Sequence, residues 1–400
     1  TICLVGSEMC IRDRSTIIRT RSPFFIRTPQ ESDSNLNYFQ AVVTIHGGTS
    51  GSSTICDDLY ATFTFRKKPL PNETSVTFEI SEIVNDHIIQ TYDGTLSNSV
   101  LTQSIWVDVV TSARQSNGTL IGSTTSTTYL AQEGFNKFKE GVNYTTEPKH
   151  MLSANYFEYN LGSFIHIPVN KELVTSVEFK DSEDTLRQTS NFTDNGNQNQ
   201  KIGYASFNTA SLGYTITKAV IIAGGRTDVI LNPIEECKYP VQKITFLNRW
   251  GALQDLFFHK KSTNSLEASR ENFNRSIFKA RSVSLEPPEE EGQDCQETVT
   301  FNSYSTTTHA KKVHNANGTE SVVLNSGFVD ERMNVYFEEL MVSEYMWLTD
   351  DSNVIYPVCI TDSSFTKKTS LNDRLINYTM NFEKAFDFVI SGHIYRKFPI

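Results

Sequence analysis

Positive charge, paired cysteines and long apolar runs are all scarce in this chain, and each scarcity removes a class of protein. Lys and Arg total 36 against 46 Asp and Glu, leaving a net charge of −10 and a pI near 5.4. Only residues 66–68 and 259–261 gather positive charge. That is no basic face of the kind nucleic-acid binders present, so no nucleic-acid partner is expected. Acidity of this size favours solubility. The longest apolar run, 219–225, is far too short to span a bilayer, and no membrane partner is expected. The 6 cysteines are widely and irregularly spaced without a Cys-x-x-Cys pair, which argues against a zinc site and against a disulfide framework in a chain of this size. Cys56, Cys237, Cys295 and Cys359 read as isolated thiols. With only 38% apolar residues and much Ser, Thr and Asn, thin β-structures with large exposed surfaces fit better than one large α/β core.

Catalytic signatures are missing too. There is no His-Glu-x-x-His, no Walker loop and no Gly-x-Gly-x-x-Gly. His46 opens a His-Gly-Gly that would suit an oxyanion hole, but no Gly-x-Ser-x-Gly elbow completes it, and a glycine turn explains it. Asp57 and Asp58 are adjacent, so on a strand they face opposite ways and read as a strand edge, not a carboxylate pair. The polar stretch around Asp194 lacks the spacing and terminal Glu of a calcium loop. His309 and His314 sit at a spacing that no helix brings to one metal. Asn-x-Ser/Thr triplets such as Asn72 and Asn377 arise naturally in so polar a chain, and Asn377 falls inside a strand pattern. No catalytic residue, metal or cofactor is therefore expected.

What is present is β patterning. Phe39, Ala41, Val43 and Ile45 alternate with less apolar positions, as do Leu59, Ala61, Phe63 and Phe65, then Val76, Phe78 and Ile80. Gly-rich 46–53 and Pro-rich 66–74 read as the turns between them, 81–88 as one or two helical turns, and 104–110 as the strand closing the unit. Ile376, Tyr378, Met380 and Phe382 alternate without a fault against Asn377, Thr379, Asn381 and Glu383, the pattern of a strand with one buried face. Met333, Phe337, Leu340 and Met341 form one helical stripe, with Asp330 placed to cap it. The fold expected is mainly β: tandem antiparallel sandwich or barrel modules, the last carrying a single amphipathic helix over about 331–343. The modules are 15–112, 113–235 and 236–400. Residues 135–150 read as an exposed loop, 180–201 as a long polar loop or mobile segment, and 286–297 as a possible break.

Residues 239–261 read as a β-hairpin whose loop, 248–251, ends on Gly251 at a position suited to positive φ. Trp250 at its tip is the candidate interaction residue, with Arg249 beside it and Phe257 and Phe258 on the returning strand. Such an aromatic tip anchors another subunit or a sugar ring, or else folds back on its own sheet.

The hairpin segment 243–262, then 326–348, 356–365 and 371–387, resemble a pattern in uncharacterised virion structural proteins of tailed bacteriophages, of the marine and Bacteroidetes-phage type. The likeness covers roughly the last 160 residues, with a weaker echo at 21–28 and 74–88. It implies a non-enzymatic tail, baseplate or neck component that works through contacts with other virion proteins and ring-like association with its own copies, assembled in the bacterial host cytoplasm and located in the phage particle. The alternative from composition is a secreted or surface β-sandwich adhesin that binds carbohydrate. Residues 4–14 resemble a translated sequencing adapter and are set aside, with Cys3 and Cys10, so that the chain is read from about Ser15.

Overall fold

The computed structural model describes residues 17–47, 59–96, 104–141, 148–193, 201–210, 213–275, 306–369 and 375–388. Strands hold 53% of these residues and helices 6%, so the chain is mainly β as its patterning predicts. It divides into two compact units, Thr1–Ser262 with Val323–Phe382, and Thr263–Val322 with Glu383–Ile400.

In the first unit, β1 (Ile17–Arg19), β2 (Phe25–Arg27), β3 (Tyr38–His46), β4 (Leu59–Lys67), β5 (Thr77–Glu79), helix α1 (Ser81–Asn85), β6 (Ser104–Arg114) and β7 (Leu120–Gln132) come first. They make a five-stranded sheet in the order β1-β7-β6-β3-β4 and a two-stranded β2-β5 ribbon. The alternating residues of β3 do what period two demands: Phe39, Ala41, Val43 and Ile45 are all fully buried. Val43 and Ile45 join Val107, Val109, Ile80 and Val84 in one core, which seats α1 on the sheet. β7 pairs with β6 along nearly its whole length, so the expected boundary at 112 cuts a hairpin and the first sheet runs on to Gln132.

Next come β8 (Tyr156–Asn160), β9 (Phe164–Asn170), β10 (Ser176–Asp181), β11 (Leu186–Asn191), β12 (Ile202–Asn208), β13 (Ile216–Ile222) and β14 (Arg226–Ile234). They form a β11-β10-β13-β14-β8 sheet and a β12-β9 pair. Among the described pairings, β1 with β7 and β14 with β8 are parallel, departing from the expected antiparallel pattern. The polar segment 180–201 is also not the loop expected at its start. β10 and β11 pair from Ser176↔Asn191 inward, and Asp181 accepts the N–H groups of Glu183 and Thr185 to close the turn.

Last come β15 (Gln242–Leu247), β16 (Leu253–Phe258), β17 (Thr263–Asn274), β18 (Lys311–Val329), helix α2 (Asn334–Leu340), β19 (Met346–Thr349), β20 (Ile355–Ile360) and β21 (Ile376–Lys384). Within the first unit the strand order is β16-β15-β19-β20-β21-β18, while β17 and the start of β18 belong to the second unit, which splits the expected 236–400 module. Ile376, Tyr378, Met380 and Phe382 are buried as their alternation requires. The 3-10 turn Glu331–Met333 leads into α2, and the Asp330 carboxylate accepts the Arg332 N–H as an N-cap at 2.9 Å. Met333, Phe337 and Leu340 are buried, and the Phe337 ring packs at 4.7 Å on Tyr378 and edge-on to Phe258. The helix ends three residues short of the expected 343, with Ser343 donating to the Leu247 carbonyl as the chain turns toward β19.

Candidate functional site

The β15–β16 hairpin has the expected loop, with Gly251 at φ +77. Its tip, however, is covered by the first sheet's end. Arg19, 2% exposed, donates to the Trp250 carbonyl at 2.6 Å and lies over the indole at 5.6 Å. The Phe135 N–H donates to the Arg249 carbonyl at 3.0 Å. Both approaches need glycine: a Cβ on Gly251 would strike the Glu133 carbonyl, and one on Gly134, φ +143, would strike the Arg249 carbonyl.

Charges finish the joint. Arg249 grips Glu140 with two bonds of 2.7 and 2.6 Å while its guanidinium stacks 4.4 Å from Trp250. The hydrogen bond from Arg249 holds the Glu140 carboxyl below its ordinary pKa. Glu339, 1% exposed on α2, accepts from Ser153 at 2.6 Å and from the Arg249 N–H, and Lys137 stands 3.5 Å away. Burial nevertheless raises the Glu339 pKa.

Of the four candidate interaction residues, Trp250 is half-buried, while Arg249, Phe257 and Phe258 are 7%, 5% and 0% exposed. Phe258 is wedged between Phe337 and Phe382. Trp250, read either as an anchor for a partner or as a ring folded back on its own sheet, sits in an internal joint with β1 and the 133–135 segment. Its partners lie 109 and 231 positions away, too distant for local pattern to reveal. The loop expected at 135–150 changes character for the same reason: Lys137 and Glu140 turn inward as ion-pair partners, leaving Phe138 fully exposed between them.

A second polar cluster lies where β9 and β12 meet β15 and β16. Asp255, 3% exposed, accepts from Thr245 at 2.6 Å and faces Lys243 at 3.7 Å. Lys243 and Thr245 both reach the Tyr92 hydroxyl, at 3.5 and 3.4 Å. Asp255 raises the Lys243 pKa, and burial raises that of Tyr92. Beside them His166 Nδ1 meets Ser206 Oγ at 2.8 Å, a pairing that invites comparison with a nucleophilic serine and its base. The polarity is reversed. Ser206 donates its proton to the Leu96 carbonyl at 3.0 Å, so His166 Nδ1–H is the donor and takes no proton from the hydroxyl. Burial lowers the His166 pKa, keeping the ring neutral in that role.

His46 and Asp108 form a third pair at 3.0 Å, with Thr128 bonded to the same carboxylate at 2.5 Å and the other ring nitrogen near the Gly47 carbonyl. This tethers β3, β6 and β7. His309 and His314 are exposed, and among the described residues no group of three or more His, Cys, Asp or Glu side chains is placed to hold a metal. Asp57, Asp58, Asp194 and 286–297 lie outside the described residues. Among the described residues no helix is long and apolar enough to cross a membrane.

The second unit differs in kind. All twelve residues of β17 are exposed, and so are the first six of β18, its partner. Leu266, Phe273 and Val313 stand out from this ribbon at 52%, 44% and 45% exposure. Among the described residues β17 is the terminal strand of its sheet.

Comparison with family models and with curated protein sequences found no match to this chain.

Proposed function

We infer that this chain is a non-enzymatic structural component of a tailed-phage particle, in the tail, baseplate or neck, working through contacts with its own copies and with other virion proteins. The observation that carries the reading is the β17–β18 ribbon. Two-stranded ribbons are marginal in water by themselves, and an edge strand with exposed apolar side chains is a template for a partner strand or sheet. A ribbon of this length suits addition to a neighbouring subunit, and repeated contacts of that kind close into symmetric rings. The whole-segment resemblance in 243–387 supplies the phage setting. A carbohydrate-binding adhesin has less behind it, because the Trp250 tip it would use is occupied by Arg19 and Arg249.

The test is proteomic. Particles purified from the phage that carries this gene should contain the polypeptide in several copies by quantitative mass spectrometry. Its absence from the particles would sink the reading.

A further inference from the structure

The first sheet protects one edge and leaves the other open. At one end β1 is only three residues long, and all three are buried. At the other end β4 is nine residues long, and none is buried. Leu59 and Tyr60 are 54% and 52% exposed, while Ala61, Phe63 and Phe65 are half-buried. Among the described residues no segment beyond β3 makes a main-chain hydrogen bond to β4, so the backbone groups of its outer edge stand ready for another strand.

Long edge strands are ordinarily blunted by charges spread along them. The two cations of β4, Arg66 and Lys67, both lie at its C-terminal end, leaving 59–65 without a charge. Their own chain holds them there: Arg66 lies over the Tyr38 ring at 5.4 Å, and Lys67 donates to the Thr77 carbonyl at 3.4 Å. Phe63 and Phe65 pack against the core that seats α1 without being enclosed by it. The β3–β4 ladder is regular from Phe39↔Lys67 to Ile45↔Ala61, and its one shift falls beyond that, at the Leu59 end.

We propose that β4 pairs antiparallel with β4 of a second copy, across a two-fold axis at Phe63, and joins the two first sheets into one. The distribution of charge along the strand selects this arrangement. A parallel pairing sets Arg66 and Lys67 beside their own copies, whereas the antiparallel one sends them to opposite ends. Full overlap of the two strands then places Phe63 against Phe63, Thr62 against Thr64, Ala61 against Phe65 and Tyr60 against Arg66. No like charges meet, the aromatic and threonine pairs are favourable, and each tyrosine receives a cation. A slip in either direction shortens the ladder, which at full overlap forms about eight to ten main-chain hydrogen bonds. The contact is isologous and uses a surface separate from the β17–β18 ribbon. It rests on the reading of the chain as an assembly component only for its setting.

The test is sedimentation velocity of the full chain over micromolar concentrations, with amide exchange of 59–67 read alongside. The natural sequence is expected to dimerise, and exchange in β4 should slow as concentration rises. Thr62→Lys with Thr64→Lys sets lysine against lysine twice and should weaken the dimer about a hundredfold. Thr62→Lys with Thr64→Glu sets each lysine against a carboxylate of the other copy and should restore it. A register slipped by one residue pair would instead oppose like charges, so the rescue reports this register alone. Thr62 and Thr64 are both exposed, so neither pair of substitutions disturbs the core, and circular dichroism checks this. A natural chain that stays monomeric, a double-lysine dimer as tight as the natural one, or a lysine–glutamate pair that fails to restore would each overturn the proposal. A monomer that is nonetheless present in phage particles overturns this contact alone; a dimer absent from particles overturns the structural role alone.

Discussion

Two short turns meet at one ion pair, and one is covered where the other is bare. The 248–251 turn offers Trp250 and is covered; the Phe138–Glu140 turn offers Phe138 and is bare. Each carries an aromatic ring beside a cation, and Glu140 of one is bound to Arg249 of the other. What separates them is what lies opposite. Arg19 and the Gly134–Phe135 backbone close over the tryptophan, while nothing among the described residues closes over the phenylalanine. An aromatic turn is thus no guide to a binding surface until the long-range neighbours are known, and the pair can be broken from either side.

The largest effect belongs to Gly251. Its φ of +77 and the Glu133 carbonyl leave no room for a side chain. Gly251→Val is expected to cost more than about 3 kcal/mol, from left-handed backbone strain and the displaced joint together. Urea denaturation followed by circular dichroism reads this, and a loss below about 1 kcal/mol would show that the joint is loose. Next is Glu140→Ala, which strands the Arg249 guanidinium, 7% exposed, without its carboxylate. The half-open position of Glu140 moderates the penalty to about 2 kcal/mol. The same substitution should unpin the Phe138 turn, seen as faster amide exchange at 137–141.

Between the turns sits Glu133, whose carboxyl is pushed up to about 8 by burial and by the nearby Glu344 charge, against an opposing pull from Arg21. A carboxyl with a raised folded pKa holds its proton in the folded chain after the unfolded chain has lost it. Its favourable contribution is complete below the ordinary carboxylate pKa, falls as pH rises from there, and is gone once the pH has passed about 8. The melting temperature should therefore be lower at pH 9 than at pH 6. Glu133→Gln, which stays neutral, should raise the melting temperature at pH 9 while changing little at pH 5. Equal slopes for the two proteins over that range would remove Glu133 as the cause.

Local pattern makes one kind of element in this molecule legible and hides another. β21 is plain because its burial is one-sided: every second residue must be apolar, and Ile376 through Phe382 obey. The α2 stripe and its Asp330 cap are plain for the same reason. β11 and β17 leave no such trace. Both are exposed along nearly their whole length, so backbone pairing alone defines them, and polar residues satisfy that as well as apolar ones. β16 fails in the opposite sense. Gln254 and Asp255 are as buried as its leucines, because β8 and β9 pack against it. The hairpin and its Gly251 could be placed from sequence, but not the joint, whose partners come from the far end of the first sheet. Likewise the exposure of Phe138 and Lys139 within the loop read at 135–150 was legible, whereas the inward turn of Lys137 and Glu140 into ion pairs was not.

The smallest effect completes the contrast. Phe138→Ser removes a ring that touches solvent all round, so the isolated chain should keep its stability within about 0.5 kcal/mol. Trp250→Ser removes a ring that packs against the Leu247 and Leu253 core and carries two guanidinium groups, and should cost about 3 kcal/mol. Urea melts of the two variants at protein concentrations low enough to keep the chain monomeric measure both. If Phe138→Ser proved as damaging as Trp250→Ser, the phenylalanine would have an intramolecular partner, and the distinction between the covered turn and the bare one would fall. A stability loss that appears for Phe138→Ser only as concentration rises would instead report a partner that is another molecule, because association stabilises a folded chain in proportion to how much of the partner is present.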